Sequence, residues 1–388
     1  MSNSRNKEQK KKENTHIEDI PQQPFNLNNT QKTALNAIFN AGELPRARLA
    51  EICGVSAPAI TRIARELISR DLIMVSGRGS NTRGQPSTNL AINPNGALSI
   101  GLFIERDALS FNLINFVGDV IKESRLSGEY SHQESIPQIC KHLDKFIKSN
   151  IPDREKVVGM GIAVTGNFVI DGRSVTPPED MENWSDVDFA NVFGRKYPYP
   201  IIVENDGSAA ALGELLTGQG QDYKTFFYVH MGNGLGGGYI LNGELIRGAH
   251  GNASEFGHFL HPPKIRPTLK NLAENLKRPL GDVNHEEIES MFNNNDSAFF
   301  NWLDKAIENL HHPINSTAIL MDPEAIVLGG RFPTVVIDYM LSKLVLYDYG
   351  EYWQSVPRPV LVAAKNFSTD AVVYGAAALP LYKVLLSN

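Results

Sequence analysis

Val203-Glu204-Asn205-Asp206, then Val229-His230-Met231-Gly232-Asn233-Gly234-Leu235-Gly236-Gly237-Gly238-Tyr239-Ile240-Leu241-Asn242-Gly243, then Glu255-Phe256-Gly257-His258: these three pieces, in this order, decide how the chain is read. The first is a run of strand-like residues ending in an acidic corner. The second is a glycine turn between two strands, and the third a polar Glu/His pair. Glycines crowded in this way permit positive φ and let a ligand approach backbone N–H groups closely. A glycine run alone would only mark a tight hairpin; the ordered triplet is far more specific.

That triplet resembles the ROK family of repressors, open reading frames and sugar kinases. The resemblance covers roughly residues 28 to 388, because the family's repressors also carry an N-terminal DNA-binding domain. It implies an α/β chain: an N-terminal winged helix-turn-helix followed by a two-lobed actin-like (ribonuclease H-like) sugar kinase fold. In the family's kinases the Asn-Asp corner holds a sugar hydroxyl and supplies the general base, the glycine hairpin lines the phosphate side, and the Glu-x-Gly-His run grips the sugar.

At 388 residues, two or three domains are expected. No apolar run approaches the roughly 20 residues of a membrane span, and the polar start with Lys10-Lys11-Lys12 is not a secretory signal. Cys53 and Cys140 show neither metal-type nor disulfide-type spacing, which suits a reducing cytoplasm. Residues 1–90 hold 13 Lys+Arg against 8 Asp+Glu, a balance of +5, while the remainder carries −11. A basic front and an acidic rear point to a polyanion partner for the front only.

Residues 1–27 read as a disordered basic tail, either inert or touching phosphates. Residues 28–92 read as the winged helix-turn-helix. Asn28-Asn29-Thr30 is an N-cap cluster ahead of Ala34, Leu35, Ile38 and Phe39 at helical spacing. A short second helix follows from Arg46 to Cys53, then a Gly54-Val55-Ser56 turn with Ser56 placed to cap a third helix. That helix, over residues 57–70, buries Ile60, Ile63, Ala64 and Leu67 and presents Thr61, Arg62 and Arg65. Two strands then flank a basic glycine loop carrying Arg78 and Arg83, the expected wing, able to enter a narrow A·T-rich minor groove. Arg83-Gly84-Gln85-Pro86 also matches the wing and linker of ROK repressors. The expected DNA-contacting set is Ser56, Ala57, Thr61, Arg62, Arg65, Arg78 and Arg83.

Residues 93–388 read as the effector domain. Strands over 98–104, 108–116 and 120–126, a helix over 135–149 and a strand over 157–164 match the opening of one actin-like half, with a second half starting near Phe226. The resemblance places the kinases' magnesium-organising Asp-x-Gly-x-Thr on Ser99-Ile100-Gly101-Leu102-Phe103, with Ser99 at the Asp position, and Asn233 where the kinases carry Thr. Phosphoryl transfer depends on that electrostatic clamp, so its loss implies no kinase activity and no ATP requirement.

The sugar side looks better kept. Asn205, Asp206 (a vestigial base), Glu255 and His258 match family positions, and Asn167, Trp184 and Glu274 complete the expected ligand set. Each has a plain structural alternative: Asp206 as a helix cap, Glu255 and His258 as loop ties, Trp184 as core. The family's zinc-binding cysteines are missing after Gly-His, and a site made of His250, His258 and His261 is a poor substitute, so no metal is expected. The expectation is a cytoplasmic, sugar-responsive repressor acting as a homodimer or tetramer on double-stranded operator DNA, with no membrane partner. An ATP-dependent sugar kinase with an added DNA-binding domain is the alternative, and a constitutive DNA-binding protein with a vestigial pocket is a third.

Overall fold

The computed structural model describes residues 26–78, 88–169, 174–260, 264–348, 350, 356–365 and 371–386. The N-terminal head begins with α1 (Asn29–Ala41). Its start is fixed by a reciprocal capping box, in which Asn28 Oδ1 accepts from Gln31 N (2.9 Å) and Gln31 Oε1 accepts from Asn28 N (3.0 Å). A short strand, β1 (Glu43–Pro45), leads into α2 (Arg46–Cys53), which stops at Gly54 in the left-handed conformation. Then comes α3 (Ala57–Ser69), burying Ile60, Ile63, Ala64 and Leu67 as its spacing requires. Ser56 occupies the N-cap position but its side chain makes no capping bond, contrary to expectation; Pro58 in the first turn removes one of the N–H groups needing a partner. Strands β2 (Ile73–Arg78) and β3 (Thr88–Ile92) pair antiparallel, and β1, unseen in the sequence reading, joins the free edge of β3.

The rest of the chain repeats one topology twice. The first half comprises β4 (Leu98–Ile104), β5 (Ala108–Asn115), β6 (Val120–Ser127), α4 (Ile136–Asn150) and β7 (Val157–Val164). A small hairpin of β8 (Asn167–Phe168) and β9 (Val175–Thr176) follows, then α5 (Phe189–Gly194), β10 (Ile201–Asn205) and α6 (Asp206–Thr217). The second half comprises β11 (Phe226–Met231), β12 (Leu235–Leu241) and β13 (Glu244–Ile246), then α7 (Leu269–Leu276), α8 (His285–Asn293) and α9 (Ser297–Met321). It ends with β14 (Ala325–Gly330), α10 (Thr334–Lys343), β15 (Val360–Ala363) and α11 (Ala371–Pro380). The sheets run β10-β7-β4-β5-β6 and β13-β12-β11-β14-β15. Counted from its own first strand, each half is an antiparallel meander with two parallel strands added on the other side. Helix α9 carries a buried Pro313 within its length.

Between the two sheets lie α6 and α11, built from small residues so that backbones touch. A Cβ on Gly375 would sit 1.7 Å from Ala209 O, and one on Gly161 of β7 would sit 1.8 Å from Ala376 O. Helix α6 reaches from the acidic corner at Asp206 to a cleft where Leu216 and Thr217 meet Phe39, Gly42 and Ile92 of the head and Val117 of the first half. One continuous apolar cluster includes Leu35, Ile38 and Leu67 of the head together with Phe103, Ala209, Leu212 and Ala376. Where the head meets the first half, Lys156 Nζ donates to Asp71 Oδ2 (2.9 Å) and to Asn95 O (2.9 Å).

Candidate functional site

Strand β10 ends and α6 begins at the same place, so the Asn205-Asp206 corner is delivered at the C-terminal edge of a parallel strand, where α/β ligand sites form. Asn205, not Asp206, is the cap: its Oδ1 accepts from Gly207 N (2.9 Å) and Ser208 N (3.3 Å), and its Nδ2 donates to Gly166 O (3.1 Å). That leaves Asp206 facing inward, with Oδ2 accepting from Thr165 Oγ1 (2.9 Å). Gly207 N is shared, donating also to Asp206 Oδ1 (2.8 Å), so both carboxylate oxygens of Asp206 are oriented where it lines the cavity.

Glu255 is brought to this corner by two devices. Asn252 bonds both backbone groups of Phe168 at 2.7 Å, clamping its loop onto β8. Gly257 lies so close to β12 that a Cβ there would sit 2.1 Å from Leu235 O. Asn167 faces Glu255 with its amide nitrogen, donating to Oε1 at 2.8 Å and Oε2 at 3.2 Å. His258 Nδ1 lies 3.4 Å from Glu255 Oε2, with the imidazole more than half exposed. Burial, and secondarily the Asp206 carboxylate, push the Glu255 carboxyl up from 4.5 to about 7.

A cavity of about 570 Å³ opens between the halves. From the first half it takes Phe103, Glu105, Arg106, Thr165, Pro178 and Met181, together with Asp206 at the start of α6. From the second it takes His230, the hairpin tip Gly232-Asn233-Gly234, a basic segment with Lys264, Arg266 and Lys270, then Thr268, Asn271, Glu274, Leu280 and Arg331. Glu105 is 4% exposed and is held by Arg125 and by Arg331, whose guanidinium lies 3.2 Å from Oε1. Arg331 also donates to Asn233 Oδ1 (3.2 Å), joining the turn after β4 to the glycine hairpin of the other half.

Of the expected ligand set, Asp206 and Glu274 line this cavity, while Asn205, Asn167, Glu255 and His258 form the adjoining hydrogen-bonded corner. Trp184 does neither and is corrected to core. It is 1% exposed, its Nε1 donates to Tyr130 O (2.7 Å), and its ring stacks on Phe189. Met181, three residues earlier, lines the cavity instead.

The phosphate-side reading also shifts. Ser99 lies within β4, 0% exposed and away from the cavity, and the turn that faces the cavity is Glu105-Arg106-Asp107. A ligand loop in a strand pair has to lie beyond the strand's end, and β4 does not end until Ile104. The residues reaching the site there are an apolar Phe103, a doubly ion-paired Glu105 and Arg106. Arg331 and the basic segment escaped the sequence reading; the density of cations after Pro263 was the available signal.

On the head, Ser56, Ala57, Thr61, Arg62 and Arg65 are all exposed along the outer face of α3. Thr61 Oγ1 is turned back onto Ala57 O (2.8 Å). Arg78 closes β2, and Arg83 lies outside the described residues, as does His261. Among the described residues no group of three His, Cys, Asp or Glu is placed to hold a metal, and no helix is long and apolar enough to cross a membrane.

Comparison with known proteins agrees with this architecture. The xylose repressor of Bacillus subtilis is 25% identical over 363 residues, covering 87% of this chain and 92% of the repressor. The beta-glucoside kinase of Listeria monocytogenes is 32% identical over 240 residues, covering 58% of this chain and 79% of the kinase. The crystal structure of a ROK family transcriptional regulator, a homologue of the Escherichia coli MLC protein, superposes with a TM-score of 0.69 at 22% identity. It covers 92% of this chain and 96% of its own, so the shared fold includes the head. The ROK family pattern itself matches residues 100–382, both halves of the repeated topology, and the chain belongs to the ROK family.

Proposed function

We propose that this protein is a DNA-binding transcriptional repressor of carbohydrate-utilisation genes. A sugar or related polyol held between the two halves tunes its grip on operator DNA, and the domain that binds it transfers no phosphate. One observation carries the reading: the end of β4 and the turn after it present Phe103, an ion-paired Glu105 and Arg106 to the cavity. A kinase would need there a carboxylate open to magnesium and a backbone cradle for phosphates. Glu105 already holds two guanidinium groups, so coordinating a cation would mean displacing both.

The exposed outer face of α3, bounded by Arg62 and Arg65, supports DNA binding, and the likeness to xylose repressors supports repression as its outcome. A winged helix reads one half-site, so the active species is a homodimer or higher oligomer whose recognition helices meet DNA about 34 Å apart. Its place of action is the cytoplasm. The experiment is a selection of bound sequences from random duplexes with full-length protein, followed by anisotropy on the selected site with and without sugars. A palindromic site released by a sugar or its ester supports the reading; ADP production with any hexose, abolished by Asp206→Asn, replaces it with the kinase.

A further inference from the structure

Val203-Glu204-Asn205-Asp206 puts a second carboxylate just ahead of the acidic corner, and alternation along β10 turns Glu204 to the opposite face from Val203 and Asn205. Glu204 is 1% exposed and accepts two bonds, Oε1 from Asn205 N (3.0 Å) and Oε2 from Arg247 Nε (2.6 Å). A carboxylate this deep is tolerated only where it is paired and hydrogen-bonded. Its partner Arg247 belongs to the other half, directly after β13, with its side chain 40% exposed. Lys383, on the turn after α11, is a further cation near both.

Arg247 is also where the segment that delivers Glu255 begins. Its carbonyl accepts from Ala253 N (3.0 Å), which closes a loop over residues 247–253. Within that loop Gly248 and Gly251 take positive φ (71° and 81°), and Asn252 grips both backbone groups of Phe168. Ser254 then holds φ at 73° although it is not glycine, and its Oγ is buried with no partner among the described residues. A residue in that conformation persists only where its surroundings over-determine it. Glu255 is therefore presented by a strained backbone that depends on the ties before it. One of those ties, Arg247, shares its carboxylate with the backbone of Asn205.

Resting on the reading of this corner as the sugar site, we propose that Glu204 and Arg247 are its positioning pair: one buried ion pair fixes the separation of the Asp206 and Glu255 carboxylates across the two halves. Neither residue lines the cavity. They act through the Asn205-Asp206 backbone on one side and the closed loop on the other. Two carboxylates carried by different halves grip neighbouring hydroxyls well only if their spacing is set before the ligand arrives.

The test needs no ligand. In the full-length protein, Glu255→Gln should raise the urea midpoint more at pH 8 than at pH 5, because burial and Asp206 oppose the charged form of Glu255. Among the described residues, the charged groups facing Glu255 are Asp206, from the start of α6, and His258, from its own turn. In an Arg247→Met background, which keeps the apolar stem, that pH-dependent gain should fall to about half or less as the loop loosens and water reaches Glu255. Loss of the Arg247 charge by itself acts the other way, raising the Glu255 pKa and enlarging the gain. Arg247→Lys should restore part of what Arg247→Met removes. Glu204→Gln combined with Arg247→Met takes away the buried charge with its partner, and should lower the gain no further than Arg247→Met alone. A gain unchanged or enlarged in Arg247→Met, whatever the loss of overall stability, overturns the positioning role and leaves a structural ion pair. A further fall in the double variant also overturns it, since the two residues would then act separately. No gain in the wild-type background overturns it too, because Glu255 would not be held out of water beside Asp206. Failure of the sensor reading shows elsewhere, as operator binding indifferent to every sugar, and moves none of these midpoints.

Discussion

Glu255 carries the pH dependence of the site. Its folded-state pKa is raised from 4.5 to about 7, so the folded protein holds this proton more tightly than the unfolded chain does. The stabilisation from that bound proton is full below about 4.5, declines as pH rises towards 7, and is gone above it. Glu255→Gln keeps an acceptor for Asn167 and never ionises. Relative to wild type it should gain stability at pH 8 over pH 5, by up to about 3 kcal/mol as an upper bound on the shift. Urea midpoints at the two pH values measure this, and an equal difference at both would assign the shift to another group. Arg331 makes a different kind of contact, bonding Glu105 of one half and Asn233 of the other. Arg331→Ala should cost about 1.5–3 kcal/mol, the range for charged hydrogen bonds, and widen the cleft in solution scattering. An unchanged radius of gyration would mean the halves are held closed without it.

The proposed DNA contact and the packing belong to the scale of elements. If α3 lies along the phosphates, Arg62→Ala with Arg65→Ala should weaken all duplexes similarly and lower the slope of log affinity against log salt by about two. A loss confined to one sequence would instead mark the arginines as base readers. At the α6–α11 crossing, Gly375→Ala forces a methyl against Ala209 O and should destabilise by about 1–3 kcal/mol, whereas Gly281→Ala meets open space and should be near neutral. The run Tyr374-Gly375-Ala376-Ala377-Ala378 supplies the small side chains that let the two backbones touch at this crossing. Helix α3, the first meander and the β11–β12 hairpin were legible in the sequence, since their patterns are local, whereas β13 was not read. Trp184 was not, because its partner Tyr130 is 54 residues away and only the tertiary fold brings them together. Ser99 misled because a spacing match ignores where the strand ends, and that end is set by pairing with β5 and β7. The cations were illegible as a group, since Arg331 and Lys270 converge only through the hairpin and the start of α7.

At the scale of the whole molecule, the apolar cluster running from the head into α6 and α11 makes the two parts one cooperative body. Calorimetric unfolding should therefore show no separate early transition for the head. A separate low-temperature peak of head size would contradict a shared core. Helix α6 sets a further condition on how such a body moves. It is 12 residues long, with Asp206 in the cavity at one end and Leu216 and Thr217 against the head at the other. A rod of that length spans about 18 Å, so a swing of about 5° around its cavity end carries the far tip roughly 1.6 Å. That travel matches the helix shifts of about 1–2 Å by which packed interfaces change state. On the sensor reading proposed above, the helix would act as a lever whose short stroke is set by how tightly Asp206 is drawn towards the ligand in the cavity.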